Sequence, residues 1–143
     1  MSDTKPFPRG LLSLVLFLAG CTSTPVVPAT GTGMARGKVT GSVTYRERIA
    51  LPPSAVVTVR LVDVSLADAP AMLIAEQVIT TAGRQVPFEF ALAYDASRIE
   101  PSHTYAVQVR IENGGRLLFI SDKMNPVITR DAPTHLDIVV RRA

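Results

Sequence analysis

The sequence predicts an all-β protein: a single antiparallel seven-stranded Greek-key β-sandwich, immunoglobulin-like, with a small β-barrel as the alternative. Seven short segments alternate apolar and polar residues with period two, which is typical of strands with one buried face. Prolines and glycines fall between these segments, as they do in sandwiches and barrels. No helix-length 3.6-residue pattern occurs outside a short apolar run near the N-terminus. With 143 residues, 47% of them hydrophobic, the chain can bury one core.

The proposed strands follow each other at nearly regular spacing. The first ends at consecutive prolines, and the fourth has the clearest alternation in the chain, although Pro87 marks an edge, a strand start or a bulge within it. Residues 113–115 (Asn-Gly-Gly) form a hairpin turn between the fifth and sixth strands. In chain order the segments are Gly37–Ile49, Val57–Leu61, Met72–Thr81, Gln85–Tyr94, Tyr105–Glu112, Leu117–Ile120 and Leu136–Val140.

A second local signature supports the sandwich. The residues from Pro101 to Tyr105 enter the fifth strand and resemble a tyrosine corner. In that device the tyrosine hydroxyl bonds back to the preceding loop of a Greek-key sandwich. We therefore expect a hydrogen bond from the Tyr105 hydroxyl to the loop before it.

The N-terminus carries the pattern of a secretory signal. Lys5 and Arg9 precede the nine-residue, largely apolar run Leu11–Ala19. A transmembrane helix needs about 20 apolar residues, so this run is too short to be a stable span and fits the core of a signal peptide. We assign residues 1–20 to the signal peptide.

The apolar run ends in a lipobox. Small residues before the cysteine let the lipoprotein signal peptidase reach the bond, and the thiol is required because diacylglycerol alkylates its sulfur. We expect diacylglycerol and an N-acyl chain on the cysteine, which is the only one in the chain, and no other cofactor. The motif consists of Leu18, Ala19, Gly20 and Cys21.

The residue after Cys21 is Thr22. An Asp there commonly retains Gram-negative lipoproteins at the inner membrane, so we expect this protein at the outer membrane, facing the periplasm. Several acyl chains give stable anchoring. Residues 21–35 form an uncharged, Pro/Gly/Thr-rich stretch after the lipidated cysteine, which predicts a flexible tether, and residues 36–143 form the β domain.

The search for reaction chemistry excludes the familiar classes. His103 and His135 have no further ligands at metal-site spacing, and no nucleophile elbow or phosphate-binding loop occurs. The net charge is +3, and the basic residues are scattered rather than clustered. Nucleic acid binding needs a clustered patch. We therefore expect no catalytic residues, no metal, no nucleic-acid partner and no enzymatic activity.

Glu47 and Asp63 fall on the apolar parity of their strands. A buried carboxylate must be paired or hydrogen-bonded. The favoured interpretation is that both lie at strand ends and hold a neighbouring loop or an arginine. The functional alternative is a polar contact for a partner.

Two further features suggest a surface for a partner protein. Met72–Ala75 and Leu117–Ile120 are apolar on both parities. The favoured interpretation is that they are central strands covered by loops, and the alternative is an exposed strand used for strand addition or groove binding. Four arginines lie on the solvent-facing parity of their strands: Arg46, Arg48, Arg60 and Arg110. A solvated face is the favoured interpretation, and a docking face for an acidic partner is the alternative. The candidate partner surface comprises Leu118, Ile120, Arg46 and Arg48.

Four segments resemble the YbaY/YscW-type lipoproteins of Gram-negative bacteria, in the order in which that family has them. They are Gly41–Pro53, Val59–Pro70, Val86–Asp95 and Gly115–Asp122, and the similarity covers most of Arg36–Arg142. The resemblance implies a small all-β lipoprotein. The YscW branch pilots a secretin subunit to the outer membrane, whereas the wider family has no defined role.

The function expected on this basis is a lipid-anchored, non-enzymatic interaction module that resembles secretin pilot or chaperone lipoproteins. Its partners would be the membrane, through the anchor, and a secretin or another envelope protein. The alternative is a structural or small-ligand-binding outer-membrane lipoprotein with no role in secretion.

Overall fold

The computed structural model of the protein describes residues 35–143, so the predictions for residues 1–34 lie outside the described residues. Over 35–143 no helix is long and apolar enough to cross a membrane. This part contains eight strands and one short 3-10 turn, Ala96–Arg98. The strands are β1 Arg36–Tyr45, β2 Ala55–Asp63, β3 Met72–Thr80, β4 Phe88–Asp95, β5 Tyr105–Asn113, β6 Arg116–Ile120, β7 Pro126–Val127 and β8 His135–Arg142.

All seven predicted segments contain a strand, but the predicted number of strands was wrong. The additional strand, β7, pairs with the start of β5 at Tyr105 and Ala106. It has only two residues and begins with a proline. A segment of that length cannot display a period-two alternation, so the sequence pattern carried no signal for it.

The strands form one continuous sheet in the order β3-β2-β5-β6-β8-β1-β4, with β7 beside β6 on the edge of β5. The sheet curls into a nearly closed barrel shape. The all-β prediction is confirmed and its barrel alternative is supported, while the immunoglobulin-like Greek-key sandwich is not confirmed. The sheet is also not wholly antiparallel, because β1 and β8 run parallel.

The core lies inside the curled sheet and follows the predicted alternation. In β1 the residues Val39, Val43 and Tyr45 are buried, with half-buried or exposed polar residues between them. The Tyr45 ring stacks on Phe119 of β6 with 4.5 Å between ring centroids. Gly41 of β1 is also buried. Side chains of β1 and β6, which are separated by β8 in the sheet, therefore meet in the apolar interior.

The predicted tyrosine corner is present. The Tyr105 hydroxyl accepts a hydrogen bond from the Glu100 backbone N–H at 2.9 Å and lies 3.5 Å from the Arg98 carbonyl oxygen. Its ring is almost fully buried. The bond fixes the loop after the 3-10 turn to the start of β5.

The barrel closes between its two edge strands, β3 and β4. No backbone ladder joins these strands in the described part of the chain. Instead the side-chain oxygen of Gln77 in β3 accepts a hydrogen bond from the Ala91 N–H of β4 at 2.8 Å. Near this seam β3 exposes three large apolar side chains: Met72, Leu73 and Val78.

Candidate partner-binding site

The two edges of β8 are paired to very different extents. One edge pairs with β1 over six residues, from His135 to Val140. The other edge pairs with β6 only at Arg141 and Arg142. Over His135–Val140 this second edge has no backbone partner within residues 35–143.

The neighbouring chain leaves this edge because residues 121–125 are held by β5 instead. The Ser121 N–H donates to the Val109 carbonyl at 2.9 Å, and the Val107 N–H donates to the Asn125 carbonyl at 2.9 Å. The Asn125 side chain donates back to the Val107 carbonyl at 3.1 Å. Residues 121–125 therefore bulge away from β8, and a cleft opens between the two.

This space, which we call the β8 cleft, has a volume of about 370 Å³. That volume is at the lower end of the range for ligand pockets. Its floor and one wall come from β8 and the residues after β1, and the other wall comes from residues 121–125. The side chains that line the cleft include Arg46, Glu47, Asp122, Lys123, Asp137, Val139 and Arg141.

The backbone of β8 points alternately to β1 and into the cleft. The Thr40 N–H donates to the Thr134 carbonyl at 2.9 Å, so even-numbered residues direct their N–H and C=O groups toward β1. On the odd-numbered side, the Ala143 N–H donates to β6 at 3.0 Å. The N–H and C=O groups of Asp137 and Val139 therefore face the cleft, where the described chain offers them no backbone partner.

The acidic residues of the cleft differ in their partners. Asp122 forms an ion pair with Arg141 at 2.9 Å, and Asp137 accepts a hydrogen bond from the Ser42 hydroxyl at 2.7 Å. In contrast, Oε2 of Glu47 is buried and has no hydrogen-bond partner in the described structure. Glu47 is thus the cleft carboxylate in the described structure with a buried, unpartnered oxygen.

The Glu47 carboxylate also acts on the neighbouring Tyr45 hydroxyl. Burial raises the pKa of the Tyr45 hydroxyl above its ordinary value, and the nearby Glu47 carboxylate raises it further. Arg46 and Lys123 line the same cleft and form no ion pair within residues 35–143. The cleft therefore combines an unpaired strand edge, one unpartnered carboxylate oxygen and two unpaired cations.

The four residues of the predicted partner surface do not come together. Arg46 lines the β8 cleft, whereas Ile120 lies on the far side of residues 121–125, in a second cleft of about 340 Å³. Leu118 is half-buried and packs against the core, and Arg48 is exposed in the loop after β1. Of the four residues, only Arg46 therefore lines the β8 cleft, and the four do not form one surface.

The interpretation of Asp63 as a structural carboxylate is confirmed. Its Oδ2 lies 2.6 Å from Nδ1 of His103, and its Oδ1 accepts bonds from the backbone and hydroxyl of Ser65. Burial raises the pKa of Asp63, but the bonds from Ser65 and His103 outweigh burial and hold the pKa below its ordinary value. Asp63 thus joins the end of β2 to the loop before β5.

Asp63, Ser65 and His103 are not hydrogen-bonded in the sequence that a catalytic triad requires. The Ser65 hydroxyl donates to the carboxylate rather than to the imidazole, so the histidine is not placed to take its proton. His135 is hydrogen-bonded to the Thr40 hydroxyl at 3.0 Å, in another part of the sheet. Within residues 35–143 no group of three or more His, Cys, Asp or Glu side chains could hold a metal ion.

Sequence reasoning missed the β8 cleft as a site. The alternation of Leu136, Ile138 and Val140 predicts which face of β8 is buried, but not which edge is paired. The available signal was Glu47, on the apolar parity of the first predicted segment, which predicted a carboxylate in need of a partner; in the structure it lies two residues beyond the end of β1.

The described residues thus form a small, curled all-β domain in which one edge of β8 lines a cleft. Residues 34–140 match the family model YscW, described as type III secretion system lipoprotein chaperone, and the chain belongs to this family. The resemblance of the sequence to YbaY/YscW-type lipoproteins is thereby confirmed.

Two individual proteins give the same result. The chain is 40% identical over 92 residues to the uncharacterized lipoprotein YbaY of Escherichia coli (strain K12), covering 64% of this chain and 48% of that protein. It therefore spans about half the length of this curated relative. It is also similar to the solved structure of an alternative pilotin from the type II secretion system of Vibrio cholerae, with 54% identity and a TM-score of 0.73. That match covers 76% of this chain and 97% of the pilotin.

Proposed function

We propose that this protein is a lipid-anchored, non-enzymatic interaction module of the cell envelope that acts as a pilot or chaperone for a secretin subunit. The observation that carries the proposal is the similarity to the alternative pilotin, at 54% identity over 97% of that chain. This identity and a TM-score of 0.73 support a common fold, and a common fold with such identity favours a common binding role. The family description as a lipoprotein chaperone favours binding over catalysis.

The anchor belongs to the same proposal. Diacylglycerol and an N-acyl chain on Cys21 would hold the protein at the outer membrane, facing the periplasm. The fourteen residues from Thr22 to Ala35 could span roughly 46 Å when fully extended, at about 3.3 Å per residue. Such a tether concentrates the domain near the membrane and lets it accompany a bound subunit there.

The test uses the bacterium that carries the gene, with the gene deleted and then restored as wild type or as Cys21→Ala. The measured quantities are the fraction of secretin subunit in the outer membrane and the fraction assembled into multimers. We expect both to fall several-fold in the deletion strain and to recover with the wild type only. An unrelated outer-membrane lipoprotein serves as the control and stays unchanged.

The alternative function is a structural or small-ligand-binding outer-membrane lipoprotein without a secretion partner. The 40% identity to the lipoprotein YbaY supports the lipoprotein class, which both functions share. Unchanged secretin assembly in the deletion strain, together with acylated protein at the outer membrane, would select this alternative.

A further inference from the structure

We propose that the open edge of β8 binds an extended segment of the partner protein as an added strand, and that a Lys or Arg side chain of this segment bonds Glu47. The inference deepens the proposed function, on which it rests for the identity of the partner. It uses three features of the β8 cleft: the free backbone of Asp137 and Val139, the exposed Val139 side chain and the unpartnered Glu47 oxygen.

The spacing of the free backbone groups selects a strand. Asp137 and Val139 present their donors and acceptors two residues apart, which corresponds to about 7 Å along a strand. Another extended backbone is the occupant that matches this repeat of N–H and C=O groups. The Val139 side chain, 39% exposed, adds an apolar contact beside the ladder. The added strand would lie on the same edge of β8 that β6 occupies at Arg141 and Arg142.

The chain's own residues 121–125 cannot take this place, because their backbone and side-chain bonds to Val107 and Val109 hold them on β5. The cleft is thus kept open by bonds made elsewhere. A strand edge left unpaired in this way is a template for a segment from another chain.

Glu47 determines which side chain the segment carries. Leaving a buried acceptor unsatisfied is costly, and a carboxylate makes its strongest hydrogen bonds with cationic donors. Asp122 is ion-paired with Arg141 and Asp137 accepts a bond from Ser42. The buried oxygen of Glu47 has no partner, so a Lys or Arg bonded to it would satisfy the acceptor that is most costly to leave unpaired.

The charges of the cleft disfavour a simpler occupant. Glu47 would attract a small free cation but Arg46 and Lys123 would repel it, and such a cation would leave the backbone groups of Asp137 and Val139 unpaired. A basic side chain that belongs to a backbone-paired segment is held in place by the ladder. The observations therefore favour a polypeptide over an isolated ion or amine.

The probe is a phage-displayed library of random ten-residue peptides, selected on the full-length lipidated protein in detergent micelles. Val139→Pro removes an N–H that faces the cleft and leaves the β1 ladder intact. Glu47→Gln removes the charge without altering the backbone, so it remains informative if the proline variant does not fold. Val78→Asp removes an exposed apolar side chain on β3 and is the matched control.

We expect enriched peptides to contain alternating β-branched residues and one Lys or Arg. They should bind the wild type and Val78→Asp equally, and at least tenfold more tightly than Val139→Pro. Against Glu47→Gln the preference for the basic residue should disappear. No enrichment, peptides that bind as helices, or equal binding to Glu47→Gln and the wild type would overturn the inference.

Amide exchange of β8 gives a residue-level readout. Without peptide, the N–H groups of Asp137 and Val139 should exchange faster than those of Ile138 and Val140. A synthetic copy of an enriched peptide should slow only the first pair, by at least tenfold; no slowing there rejects strand addition. Enrichment without any secretin phenotype would refute the pilot function alone, and a secretin phenotype without enrichment would refute the strand edge alone.

Discussion

Replacing Gly41 by Ala tests the way in which β1 is held between its two neighbours. Gly41 is buried in β1, opposite Phe90 of β4 on one side and Leu136 of β8 on the other. A Cβ atom built on Gly41 would lie 2.8 Å from the Phe90 ring, and closer still to the carbonyl oxygen of Leu136. The ring can shift, but the backbone of β8 cannot move without disturbing the β1–β8 ladder.

The expected magnitude follows from these contacts. Overpacking a buried site costs about 1–3 kcal/mol, and a clash with backbone belongs at the upper end. Replacing a glycine also removes flexibility from the unfolded chain, which offsets about 0.4–1 kcal/mol. We therefore expect Gly41→Ala to lower the free energy of unfolding by about 2 kcal/mol.

Gly37→Ala is the matched control in the same strand. A Cβ there would meet only the outer atoms of the half-buried Tyr94 side chain, which can rotate away. We expect this variant to stay within about 1 kcal/mol of the wild type. Urea denaturation followed by tyrosine fluorescence is the assay, because the chain has three Tyr and no Trp. Equal stabilities for the two variants would refute the assigned β1–β8 pairing.

Three further substitutions test the remaining structural claims. Tyr105→Phe keeps the buried ring but loses the bond from the Glu100 N–H, so the free energy of unfolding should fall by about 1 kcal/mol; no change would mean that the tyrosine corner contributes nothing. Phe119→Ala should cost about 3–5 kcal/mol and the exposed Ile120→Ala less than about 1 kcal/mol, and similar values would contradict their opposite burial. The folded pKa of Asp63 is lowered, so its stabilisation is full above the unfolded value and is lost as the pH falls through the folded pKa. The stability gap between wild type and Asp63→Asn should therefore be larger near pH 6 than below about pH 4, where it shrinks, as followed by urea denaturation at each pH.

The strands could be predicted because each one buries a single face. The alternation around Phe88, Phe90 and Leu92 reports burial directly, and these side chains are in the core. The tyrosine corner was predictable because Tyr105 and the loop that it bonds are close in sequence. Local patterns therefore located both the strands and this hydrogen bond.

The order of the strands could not be predicted in this way. The parallel pairing of β1 with β8 joins residues 95 positions apart, such as Gly41 and Leu136, and no local pattern encodes it. The tyrosine corner suggested a sandwich, yet the same hydrogen bond stabilises the loop before β5 in a curled single sheet. The candidate site depends on the unpaired edge of β8, so it escaped prediction for the same reason, apart from the signal at Glu47.

The barrel has two breaks, and their surroundings indicate which one a partner strand would use. At the β3–β4 seam the two free edges face each other, and Gln77 already occupies the Ala91 N–H. A guest strand there must first break this bond and separate β3 from β4. At the β8 cleft the groups of Val139 face open space and residues 121–125 are held away, so binding requires no such rearrangement. The exposed apolar side chains of β3 are therefore more consistent with side-on contact than with strand addition, and the edge of β8 remains the favoured place for an added strand.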